Sequence, residues 1–166
     1  MKETLYEKSL FISDVHIPFE DKNAVRILKN FTRWFEPDHI FFVGDIIDFY
    51  NISTFDKNPE RLNQLQNDID KTVDFLLDMR VIAPQAKMVY LEGNHENRIT
   101  RYLWKHNEIA SLDALSIDKL LDFKDLHIEY KTMKDICTFH DFLIEHGDVI
   151  RKYSGLSFKN KFLHRC

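Results

Sequence analysis

Three short apolar runs in this chain are each cut off by a polar string, and a fourth string closes a later run. Leu10-Phe11-Ile12 leads into Asp14-Val15-His16, and His39 to Val43 leads into Gly44-Asp45-Ile46-Ile47-Asp48. Lys87 to Leu91 leads into Gly93-Asn94-His95-Glu96, and Phe142 to Glu145 leads into His146-Gly147. Apolar runs this short, bounded by turn residues, read as buried strands. The intervals between the first three carry helical spacing. Strand, helix, strand, helix, strand predicts a parallel sheet with crossover connections, an α/β fold. All four strings then lie on loops at the carboxyl ends of strands. Gly44, Gly93 and Gly147, three of the four glycines, fall inside them and are expected where the backbone turns sharply to aim a side chain.

The elements between can be placed more closely. Asp21 or Asn23 caps a helix through about Phe35, with Val25, Leu28, Phe31 and Phe35 on one stripe. Phe49 to Asn58 is polar and irregular, a loop over the strand ends. A long helix is expected from about Pro59 to Val81, its stripe being Leu62, Leu65, Ile69, Val73 and Leu76, with Glu60, Arg61, Asp68 and Lys71 off it. Shorter helices are expected over Glu96 to Lys105 and Leu115 to Leu121. Beyond Asp125 the pattern turns to strands at His127 to Lys131, Ile136 to Phe139 and Phe142 to Glu145, either mixed into the sheet or forming a second one.

The strings hold carboxylate, imidazole and amide side chains, the donors a hard or borderline divalent metal pair takes. Asp14 and His16, two apart in extended chain, point to one face. Asp45 has two oxygens with which to bridge two ions, and Asp48 is placed to orient a catalytic imidazole. Asn94 is a ligand that adds no charge, and His95 beside it is a candidate proton donor. Each string also has a plain reading: a polar turn, a helix cap by Asn94, a structural His146. Four at successive strand exits favour a metal centre. Arg98 and Arg101, about one turn past His95, are candidates for steering an anionic substrate or for ordinary surface roles.

Composition narrows the classes. With 166 residues, 44% of them apolar and 30% charged, the chain is read as one folded domain spanning residues 1–166. The net charge of −4, and a lack of interleaved basic and aromatic residues, give a nuclease reading little support. Cys137 and Cys166 have no metal-binding spacing and suggest no disulfide framework, which fits a reducing compartment. No apolar leader follows Met1, and no run approaches about 18 apolar residues, so a cytoplasmic protein without membrane insertion is expected.

In these strings the chain resembles the calcineurin-like metallophosphoesterase family, whose members share Asp-x-His, Gly-Asp-x-x-Asp, Gly-Asn-His-(Asp/Glu) and a later His. The resemblance covers nearly all of the chain. Within the family, Phe49 to Pro59 and Glu96 to Arg98 resemble small bacteriophage or prophage-borne members. It implies a β-sheet sandwich flanked by helices and hydrolysis of phosphomonoesters or phosphodiesters by a metal-bound hydroxide at a dinuclear site. Asp14, His16 and Asp45 would hold one divalent ion; Asp45, Asn94 and His146 would hold the other. His95 would stabilise the transition state or protonate the leaving group, oriented by Asp48. Mn²⁺ is the leading ion, with Fe, Zn, Ni and Co compatible, and the implied substrate is a phosphorylated small molecule or nucleotide. The family's further string, Gly-His-x-His, is missing before Cys166. His164, in an expected helix over Ser157 to Arg165, and His140 do not replace it, so each ion has three protein ligands. A fragment or a truncation at the C-terminus is the expectation, with a weakened enzyme, a non-catalytic binding module or a partner-completed site as alternatives.

Overall fold

The computed structural model describes residues 6–61 and 64–147. Four parallel strands, β1 (Ser9–Ile12), β2 (His39–Val43), β3 (Lys87–Leu91) and β4 (Ile128–Lys131), form one sheet in the order β1-β2-β3-β4. Register is continuous: Phe11 pairs Phe41, Phe41 pairs Val89, and Val89 pairs Glu129. Helix α1 (Lys22–Phe35) connects β1 to β2, and α2 (Leu65–Ile82) connects β2 to β3. Helices α3 (Asn97–Lys105) and α4 (Ile117–Leu120) fill the passage from β3 to β4. The antiparallel pair β5 (Cys137–Phe139) and β6 (Phe142–Ile144) makes a separate two-stranded sheet.

Alternation along the strands divides the side chains between two cores. Leu10, Ile12, Ile40, Phe42, Met88, Tyr90 and Ile128 join Ile69, Phe75, Leu76 and Met79 of α2 in the larger core. Phe41, Val43, Val89 and Leu91 face the other way, against Cys137, Phe139 and Ile144 of the β5–β6 pair. The runs therefore read as continuously apolar because both faces of β2 and β3 are covered.

Several element boundaries differ from the sequence reading. Pro59–Arg61 is a separate 3₁₀ turn, capped where Asn58 Oδ1 accepts from the Glu60 amide at 3.0 Å, and α2 begins only at Leu65; Leu62 lies outside the described residues. Helix α2 buries Ile69 and Leu76 of the expected stripe, with Leu65 and Val73 packed against the core, and brings Asp68, Thr72 and Phe75 inside as well. Asp68 is admitted because Asn51 Nδ2 donates to its Oδ2 at 3.0 Å. In α1, Asp21 is the cap, accepting from the Asn23 and Ala24 amides, but Phe31 is 41% exposed beside Trp34. Helix α4 is shorter than expected because Asp113–Leu115 forms its own 3₁₀ turn. β4 extends the parallel sheet rather than pairing with β5. The expected terminal helix over residues 157–165, with His164, lies outside the described residues. Among the described residues, no helix is long and apolar enough to cross a membrane.

Candidate metal centre

The loops after β1 and β2 continue the parallel pairing beyond the strands. The Asp14 amide donates to the Gly44 carbonyl at 3.2 Å, His16 to Asp45 at 3.0 Å, and Ile17 to Ile46 at 2.8 Å. Asp14, His16 and Asp45 sit at φ near +55°, in the left-handed region that residues with side chains seldom occupy. Asp14 and His16 therefore converge through two left-handed residues and not through extended chain, with Asp14 Oδ1 3.8 Å from His16 Nε2.

Close backbone approach explains two of the glycines. A methyl at Gly93 would stand 2.3 Å from Asp45 Oδ1, and one at Gly44, whose φ is +74°, would meet both Gly93 Cα and the His146 ring at 2.7 Å. Among the described residues nothing lies within 4 Å of such a methyl at Gly147, and its φ is not left-handed, so no close approach or left-handed backbone requires a glycine there.

Asp45 is the centre of the arrangement. It is 4% exposed, its Oδ1 accepts from the His95 amide at 2.9 Å and lies 3.3 Å from His146 Nε2, and its Oδ2 lies 3.7 Å from His95 Nε2. Ligand atoms of Asp14, Asp45 and His146 gather within 4.8 Å of one another, as do those of His16, Asp45 and His95. Asn94 Oδ1 is 3.0 Å from His146 Nε2, so Asn94 faces the cluster. The residue at the helix start is instead Glu96. Thus Asp14, His16, Asp45, Asp48, Asn94, His95 and His146 all come together. His140 lies in the turn between β5 and β6, 3.2 Å from Glu7, and is no part of the cluster.

Burial pushes the Asp45 carboxyl up, but the bonds from His146 and the His95 amide outweigh it and leave it below the usual range. Asp48 likewise resists burial, held well below the carboxylate range by His16, His95 and Arg98. The bond to Asp48 raises the His16 imidazole, and Asp45 raises that of His146 to about 9.

The donors fit a divalent ion. They are two carboxylates, imidazoles and an amide oxygen with no thiolate, the mixture that hard and borderline ions take. Both outer histidines are also held from behind: His146 Nδ1 donates to the Val43 carbonyl at 2.8 Å, and His16 Nδ1 lies 3.1 Å from Asp48 Oδ2. Each ring thereby turns Nε2 inward, the arrangement seen around metal-ligating histidines.

Two residues of α3's first turn matter more than their sequence positions suggested. Glu96 is fully buried, and its carboxylate accepts from the amides of Asp45, Ile46, Ile47 and Gly93 and from the Tyr90 hydroxyl. Burial is the main force on that carboxyl and raises it. Arg98 donates to the Asp48 carbonyl at 2.7 Å and to Asp48 Oδ1 at 3.0 Å. A glutamate that follows Asn-His and precedes a helix looks like a first-turn acid; only its aim at the neighbouring loop reveals the role. Arg101 stays outside, bonded to Asn97.

The sequence profile of calcineurin-like phosphoesterases matches residues 8–165. The chain belongs to the calcineurin-like phosphoesterase family. Members of the calcineurin-like phosphoesterase family are hydrolases of phosphoester bonds and typically bind divalent metals. The chain is also similar to the Gene 54 protein of Mycobacterium phage D29, 28% identical over 122 residues, which are 70% of this chain and 48% of the relative. The Gene 54 protein of Mycobacterium phage L5 is 24% identical over 128 residues, 74% of this chain and 50% of the relative. The chain spans about half the length of the curated relatives it matches.

Proposed function

We propose that this chain hydrolyses phosphomonoesters or phosphodiesters at a two-ion centre, on a phosphorylated small molecule or nucleotide. Asp14, His16 and Asp45 would hold one ion; Asp45, Asn94 and His146 would hold the other, with Mn²⁺ the leading ion and Fe, Zn, Ni or Co compatible with the same oxygen and nitrogen donors. Such a pair, when bound, acidifies water and neutralises the charge that develops on the phosphoryl group. The chain's own residues do the rest. Asp45, buried at 4% exposure, would be the shared ligand; it is common to the two donor groups Asp14–Asp45–His146 and His16–Asp45–His95, which divide Asp14 and His16 between them. His95 would take up a proton at Nε2 and pass it to the leaving oxygen while its Nδ1 stays within 3.2 Å of Asp48 Oδ2. The left-handed backbone at Asp14, His16 and Asp45 fixes these groups before substrate arrives.

The single observation that carries this reading is the gathering of two donor groups around one carboxylate, Asp45. Its test is hydrolysis of an activated aryl phosphate by the chelator-stripped chain with Mn²⁺ added back. Turnover that depends on Mn²⁺ and drops ~10²–10⁴-fold in His95→Ala, with metal content preserved, is the expected result. If His95→Ala loses metal in step with activity, His95 is a ligand and the proton-transfer role is wrong.

A further inference from the structure

One cation is packed directly against the centre. Arg98, with its side chain 17% exposed, spends its guanidinium on protein groups. Nη1 donates to the Asp48 carbonyl at 2.7 Å and to Asp48 Oδ1 at 3.0 Å, and Nη2 lies 3.0 Å from His95 Nε2. The other carboxylate oxygen, Asp48 Oδ2, is 3.1 Å from His16 Nδ1 and 3.2 Å from His95 Nδ1. One carboxylate is therefore divided, one oxygen to a guanidinium and the other to two imidazoles whose rings meet edge to face at 4.5 Å.

This division fixes where the protons sit. A guanidinium has donors only, so His95 Nε2 is the acceptor in its contact with Arg98, and the ring proton is on Nδ1, facing Asp48. A carboxylate at Nδ1 sets both the tautomer and the plane of an imidazole. Asp48 does so for two rings at once, and its own orientation depends on Arg98 Nη1, which donates to both its carbonyl and its Oδ1. A lysine ammonium can meet Asp48 from one nitrogen but has no second nitrogen to place beside His95 Nε2.

We propose that Arg98 is a positioning residue for phosphoester hydrolysis: it locks Asp48 so that His16 and His95 both keep the proton on Nδ1 and leave Nε2 unprotonated, the Arg98 contact to His95 Nε2 giving way when that atom takes up a proton. This rests on the two-ion phosphoesterase reading above. Arg98 acts from the protein side of the centre, where Nη1 holds Asp48 and Nη2 meets His95.

The test compares the full chain with Arg98→Ala and Arg98→Lys. Histidine ¹⁵N spectra of the ion-free chain, taken where both rings are neutral, should show Nδ1–H at His16 and His95 in the parent and mixed tautomers in Arg98→Ala. Mn²⁺ affinity and kcat on an aryl phosphate should each fall about 10–100-fold, the cost typical of losing a group that orients a ligand. KM should stay within about twofold, and Arg98→Lys should recover part of kcat. Parent tautomers with parent kcat would overturn the proposal, as would a loss expressed wholly as raised KM, which would make Arg98 a substrate-binding group. If Arg98→Ala does not fold, Arg98→Lys decides by the same measures. Mixed tautomers in Arg98→Ala together with a parent that hydrolyses no phosphoester would sink the phosphoesterase reading while leaving the grip on Asp48 intact.

Discussion

Glu96→Gln should cost far more than a one-atom change suggests. Glu96 Oε2 accepts from the Asp45 and Gly93 amides, both at 2.9 Å. Oε1 accepts from the Ile46 amide at 2.9 Å, the Ile47 amide at 3.3 Å and the Tyr90 hydroxyl at 2.6 Å. A side-chain amide nitrogen placed at Oε2 would face two donors, and placed at Oε1 it would face three. At least two buried donors lose their acceptor, at about 1–3 kcal/mol each, so destabilisation of about 2–6 kcal/mol is expected. For a chain of this size, at about 2–4 °C per kcal/mol, Tm should fall by at least about 4 °C. Urea and thermal denaturation of the ion-free chain measure it, and Tyr90→Phe, which removes one of the three donors to Oε1 and leaves it two, should cost only about 0.5–1.5 kcal/mol. Glu96→Gln within about 1 kcal/mol of the parent, or Tyr90→Phe the costlier of the two, would refute the view that this carboxylate holds the Gly44–Asp48 loop.

Other consequences follow from the same geometry. Asp45 raises the His146 imidazole from 6.5 to about 9, so near pH 7 an incoming ion must displace a proton. Mn²⁺ affinity should therefore climb with pH and level off above about 9; calorimetry showing a flat profile between pH 7 and 9 would contradict this. The raised value also means that in the ion-free chain the pair's contribution to stability is full below 6.5 and fades as pH passes about 9, which denaturation across that range will read. Gly93→Ala, whose methyl would stand 2.3 Å from Asp45 Oδ1, should abolish metal uptake, whereas Gly147→Ala, with nothing within 4 Å among the described residues, should leave it intact. Equal effects of the two substitutions in a metal titration would undo the close-approach argument.

Much of this molecule was legible in its sequence because local chemistry and tertiary placement agree. Strand β2 begins and ends where its apolar run does, and β3 likewise, since both are covered on two faces and bounded by turn residues. Asp14, Asp45 and His146 could be read because ligand-type residues at strand exits have few other reasons to cluster. What could not be read depends on direction in space. Glu96 looks like a first-turn acid but reaches 51 residues back to the Asp45 amide. Arg98 resembles a surface cation until its contact with Asp48 is seen. Asp68 falls off the apolar stripe of α2, yet the rotation of that helix against the sheet, together with Asn51, brings it inside. The basic and aromatic residues of α1 are in fact interleaved, with Arg26, Lys29, Arg33 and Trp34 along one helix, although Lys29 is tied to Asp78 of α2.

The central claim is that one carboxylate serves two ions, and metal stoichiometry tests it most directly. Titration of the chelator-stripped chain with Mn²⁺, followed by calorimetry, should show two ions per chain, and Asp45→Ala should lose both uptake events together. An Asp45→Ala chain that still binds one Mn²⁺ with the parent's affinity would show that the two donor groups do not share Asp45 as their common ligand.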